Sequence, residues 1–114
     1  MTTFEVLTAT EHACLERYVD VLRDTLGDGL VRIAVFGSVA RNERWPVGMP
    51  IRSDLDLLVV VRAPLAAEVE EALINATLPL FLESGRQIGP QFRTAEQAAA
   101  STAFVDAIEI WPCR

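Results

Sequence analysis

The feature that most constrains this chain is the run Ser53-Asp54-Leu55-Asp56-Leu57-Leu58-Val59-Val60-Val61, in which apolar, largely β-branched residues follow one another without alternation. Such a run over 54–62 predicts a strand buried on both faces, and a strand of that kind needs a layer of structure above it and another below. With 114 residues, 51% of them hydrophobic, the chain is long enough for one such core and too short for two, so residues 1–114 are expected to form a single domain.

The remaining elements follow from local signals. Apolar residues at Ala13, Cys14, Tyr18, Val21, Leu22 and Leu26 recur at three- and four-residue intervals and predict an amphipathic helix over 10–26, ended by Gly27 and Gly29. Residues 30–36 read as a buried strand running into Gly37 and Ser38, and 38–43 as a short helix. Two prolines and a glycine make 45–50 an irregular loop. Pro64 suits the first turn of a helix through 83, kinked or shortened by Pro79 and terminated at Gly85. Residues 87–93 read as a third strand, placed at a sheet edge because Pro90 cannot donate a ladder hydrogen bond. Thr94 caps a last helix, with Gln97 three residues on. Residues 104–111 fit neither a helical nor a strand period.

Charge and composition exclude several functions. Ten basic against sixteen acidic residues give a net charge of −6, which argues against a long nucleic acid as partner. No apolar run approaches the ~20 residues that span a bilayer, and the N-terminus does not read as a signal peptide, so the expected location is cytoplasmic. Cys14 and Cys113 lie far apart without partners at metal-ligand spacing and read as free thiols. His12 reads as a surface residue, and Trp45 as a packing or interface residue.

Asp56 is the anomaly in the central strand. An ionised carboxylate beside such a core costs several kcal/mol unless it is paired, hydrogen-bonded or bound to a cation. Strand alternation places Asp54 and Asp56 on one face, roughly 7 Å apart at their roots, where both can reach one ion. Mg2+ suits such a pair because it takes one or two carboxylates and completes its shell with water and phosphate oxygens; Mn2+ is the alternative. At the end of the preceding strand Gly37 permits a sharp turn, and Ser38 opens a helix whose free amides favour phosphate. Arg41 follows on the same side, and Arg44 and Arg52 flank the loop, giving local positive charge.

The stretches Phe36-Gly37-Ser38-Val39-Ala40-Arg41 and Ser53 to Val59 resemble the signature of the DNA polymerase β-like nucleotidyltransferases, and in particular the minimal nucleotidyltransferases (MNT proteins). The resemblance implies an α/β (α+β) nucleotidyltransferase fold of α-β-α-β-α-β-α order, with a small mixed sheet flanked by helices. It also implies that Asp54 and Asp56 bind the metal and carry catalysis, while Gly37 and Ser38, with Arg41, hold the nucleotide phosphates. The implied reaction moves a nucleoside monophosphate, AMP in the commonest case, from a nucleoside triphosphate such as ATP to an acceptor hydroxyl. A HEPN-type toxin partner, neutralised or modified by the chain, is the alternative role the resemblance offers, and a catalytically degenerate nucleotide-binding domain is a third; a partner or a homodimer would complete the cleft. The sequence departs from the family in two places. The loop between Ser38 and Asp54 is longer. Active members also place a third carboxylate on the next strand, where this chain offers Gln87 or Gln91; Glu83, Glu96, Asp106 and Glu109 fall outside that strand. Without that acid, general-base assistance worth about 10²–10⁴-fold is lost.

Overall fold

The computed structural model describes residues 7–41 and 54–112. The expected helix end at Glu43, the loop 45–50, and residues Arg44, Trp45, Arg52, Ser53 and Cys113 lie outside the described residues. Helix α1 spans Ala9–Leu26 and starts at a capping box: the Thr8 hydroxyl accepts from the Glu11 amide while the Glu11 carboxylate accepts from the Thr8 amide. A 3-10 turn at Gly27–Gly29 leads into strand β1, Leu30–Phe36, and a single helical turn, α2, covers Gly37–Ala40. Strand β2 is Leu55–Val61.

The single helix expected over 64–83 is two helices, α3 at Ala67–Asn75 and α4 at Thr77–Ser84. Pro79 explains the break. Its ring clashes with the carbonyl of the fourth residue before it, Asn75, where α3 ends, and its missing N–H falls in the first turn of α4, where amides lack intrahelical acceptors. Pro64 does not open α3; Leu65 and Ala66 intervene, the second of them extended. Gly85 ends α4 in the left-handed conformation at φ 75°, its amide donating to Phe81 O. Strand β3 is Ile88–Thr94, and Thr94 and Gln97 form the capping box of α5, Ala95–Ala99. The unassigned tail contributes a second 3-10 turn at Thr102–Phe104 and a fourth strand, β4, Ile108–Trp111.

The sheet order is β3-β2-β1-β4. β2 runs antiparallel to β1 and parallel to β3, while β4 runs antiparallel to β1, so the sheet is mixed, with Pro90 on an edge strand as expected. One face carries Ile33, Val35, Leu55, Leu57, Val59 and Val61 against Leu15, Tyr18 and Leu22 of α1, Leu73 of α3 and Leu80 of α4. The other face carries Ala34, Phe36, Leu58 and Val60 beneath Ala98, Phe104 and Ala107, with the Phe36 and Phe104 rings edge to face at 4.9 Å. The free Cys14 is buried in the first layer. Among the described residues no helix is long and apolar enough to cross a membrane.

Tyr18 ties α1 to α3. Its side chain is buried, its hydroxyl donates to Leu73 O at 2.7 Å, and burial pushes the phenol above its ordinary value. A group raised in this way contributes stability that is complete below its unfolded pKa of about 10 and is lost as pH rises through the folded value. Tyr18→Phe is therefore expected to cost about 1 kcal/mol at neutral pH through the lost hydrogen bond. In urea titrations across alkaline pH the variant should lose less stability than the wild type; an equal loss would place the titrating group elsewhere.

Candidate functional site

β1 ends, β2 begins and β3 begins at the same end of the sheet. Phe36 pairs with Asp56 across β1 and β2, so Gly37 follows directly beside the Asp56 side chain. Asp54 and Asp56 share the sheet face of Leu58 and Val60, but the cover provided by α5 and the 102–107 segment stops short of them: Asp54 is exposed and Asp56 half-buried. Gly37 has φ 75°, and a Cβ built on it would lie 2.5 Å from Asp56 Oδ2, inside any tolerable contact. Here both backbone and space require glycine.

On the other side of β2, Gly89 is level with Asp56 in the parallel ladder. A Cβ at Gly89 would stand 3.7 Å from Asp56 Oδ1 and 3.8 Å from Asp54 Oδ2, so the two carboxylates approach a common space in front of β3. Ser38 is half-buried at the start of α2, and Arg41, exposed, closes that turn with its amide donating to Gly37 O. Among the described residues no third histidine, cysteine or carboxylate joins the pair.

Burial pushes the Asp56 carboxyl above the ordinary carboxylate range, and the charge of Asp54 pushes the same way; the guanidinium groups of Arg41 and Arg86 pull against them without cancelling the rise. Arg86 was not suggested by any spacing. It is buried immediately before β3, with its Nη1 3.6 Å from Glu11 Oε2 of α1, both side chains almost inaccessible. The two glutamines expected near the pair are engaged elsewhere. Gln87 donates to the Thr77 hydroxyl and to Ile88 O, and Gln91 accepts from Arg93. The β3 position that faces the aspartates is Gly89, which sequence reasoning passed over because its significance lies in cross-strand register. Of the substitute acids, Glu83 is ion-paired to Arg17, Glu96 lies in α5, Asp106 follows the second 3-10 turn, and Glu109 pairs with Ala34 at the other edge.

The arrangement combines two carboxylates able to grip a hard cation with a turn at Gly37 and a cationic group at Arg41 able to meet phosphate. A groove of about 630 Å³, lined by Val31, Val60, Ala98, Phe104 and Val105, lies further along the same face; it is mostly apolar and lacks this chemistry.

The family model of the nucleotidyltransferase domain matches residues 15–109. Among solved structures, the chain is similar to two substituted forms of the toxin–antitoxin complex MntA–HpeT. The first has a TM-score of 0.60 at 16% identity, covering 88% of this chain and 73% of that one; the second has 0.58 at 14% identity, covering 87% and 73%. It is also similar, with a TM-score of 0.55 at 14% identity and coverage of 90% and 73%, to a chain in a complex of a tri-AMPylated Shewanella oneidensis HEPN toxin with MNT antitoxin. No curated protein matches the sequence.

Two consequences can be measured. Gly37→Ala should destabilise the fold by about 1–2 kcal/mol, from the left-handed backbone and the displaced Asp56, in chemical denaturation. For Asp56, a raised folded pKa means that stability present below the unfolded value, about 4, is lost as pH rises through the folded one. In chelator, Asp56→Asn should therefore show a flatter stability profile than the wild type as pH rises above the unfolded value; parallel profiles would contradict the electrostatic account. The match across residues 15–109, spanning both Gly37-Ser38 and Asp54-x-Asp56, places this chain in the nucleotidyltransferase domain family.

Proposed function

We propose that the chain transfers a nucleoside monophosphate, AMP from ATP in the first instance, to a hydroxyl of a HEPN-type protein partner. The observation that carries this reading is the juxtaposition of Gly37 with Asp56, and of both aspartates with the space before Gly89. Domains of this family generally use divalent metals, and the donor set fits one: two carboxylates on one face, one of them half-buried and disfavoured as a bare anion. Asp54 and Asp56 would hold Mg2+, or Mn2+, which when bound neutralises phosphate charge and polarises the phosphorus centre.

The chain's own residues position the reactants. Gly37, lacking a Cβ, would let the triphosphate approach the backbone beside Asp56, while the Ser38 hydroxyl and the Arg41 guanidinium would meet phosphate oxygens. The acceptor oxygen forms a bond to the α-phosphorus, the bond to the bridging oxygen breaks, and pyrophosphate leaves with that electron pair. The acceptor's proton passes to water. The chain similar in fold that is bound to a tri-AMPylated HEPN toxin supports a protein hydroxyl as acceptor. A homodimer is the other arrangement that would complete the open cleft.

A second reading, a nucleotide-binding domain that acts by neutralising its partner without transfer, is favoured by Gly89 standing where a third acid would face the pair. Radiolabelled nucleoside triphosphates incubated with the protein and its genomically neighbouring helical protein separate the two. Mg2+-dependent label transfer is expected, reduced by about two orders of magnitude or more in Asp54→Asn and Asp56→Asn. Nucleotide binding without label transfer would establish the second reading and overturn the first.

A further inference from the structure

Glycine at position 89 has no local cause. It is not among the residues with a left-handed backbone, and a Cβ there would meet its neighbours at ordinary van der Waals distance, in contrast to Gly37. A glycine inside a strand costs conformational entropy and contributes no packing, and it is found where something must approach the backbone closely. What lies in front of Gly89 is Asp56 Oδ1 and Asp54 Oδ2. A longer side chain at this position would project between them.

We propose that Gly89 keeps this a two-carboxylate site, so that the divalent cation is taken up together with the nucleotide phosphates instead of being held by the protein alone. The inference rests on the reading of Asp54 and Asp56 as cation ligands. Asp54 and Asp56 would hold Mg2+ or Mn2+ with few protein ligands, so that phosphate oxygens would be needed alongside water for strong binding. A carboxylate at position 89 would add charge and a ligand from the protein side, raising affinity for the bare ion and occupying space beside the two aspartate oxygens. Gly89 thereby makes occupancy of the site conditional on nucleotide, and the same gap leaves no β3 carboxylate to take the acceptor's proton.

The probe is Mn2+, its protein-bound share measured by equilibrium dialysis against a protein-free compartment of the same composition, with and without a non-hydrolysable ATP analogue. Gly89→Asn serves as the neutral isostere of Gly89→Asp, and circular dichroism melts confirm that both variants fold. Wild type and Gly89→Asn are expected to bind Mn2+ alone weakly and to gain at least about tenfold with the analogue. Gly89→Asp is expected to bind Mn2+ alone at least about tenfold more tightly than Gly89→Asn, with a smaller gain from the analogue. Equal affinity of the wild type with and without nucleotide, or equal affinity of Gly89→Asp and Gly89→Asn for the bare ion, overturns the role of Gly89. Nucleotide-dependent Mn2+ uptake that survives Asp54→Asn and Asp56→Asn overturns the underlying site assignment instead.

Discussion

A carboxylate at the mouth of a buried strand sets the terms for everything around it. Asp56 is the second residue of β2, whose other residues are all buried, and burial together with Asp54 disfavours its charge. A fold that retains such a group must offset the cost with cations or use the group's appetite for one. Arg41 and Arg86 offset it only in part. Gly37 then follows, because β1 ends against the Asp56 side chain, the next residue is in a left-handed conformation, and any Cβ there would push the carboxylate aside.

The support reaches well beyond the sheet. Glu11 completes the N-terminal cap of α1 with one carboxylate oxygen and faces Arg86 with the other, so the start of the first helix is tied to the start of β3 through a buried ion pair. Buried pairs of this kind contribute little net stability, but removing one partner strands the other charge. Arg86 is thus held where its charge acts on Asp56, while Tyr18 fastens the middle of α1 to the end of α3.

What the sequence disclosed and what it withheld divide along the range of the interactions involved. The bounds of β1, the stop at Gly85, the edge position of β3 and the Thr94–Gln97 cap were legible because each depends on a few neighbouring residues. The convergence of Asp54 and Asp56 was legible too, since strand alternation is local. The split of the long helix at Ala76 was half-legible: Pro79 signalled a disturbance but not that the chain would restart as a new helix. β4 was hidden because Ile108–Trp111 has no clean period, its strand identity coming from pairing with Val35, Ala34 and Ile33, distant in sequence. Arg86 and Gly89 were missed for the same reason, since their importance comes from what α1 and β2 bring opposite them.

The charge balance bears on the acceptor. With a net charge of −6, a polyanionic acceptor would approach this protein against its own field, whereas a hydroxyl on a neutral or basic protein surface would not. On the proposed reading, a nucleoside triphosphate is also anionic but would need only the short-range charge of Arg41 and a cation at the aspartates, within a distance at which the overall field is largely screened. The proposed coupling of cation to nucleotide would thus reconcile an acidic protein with a highly charged small substrate, and the acidic field itself favours a protein over a nucleic acid as the second reactant.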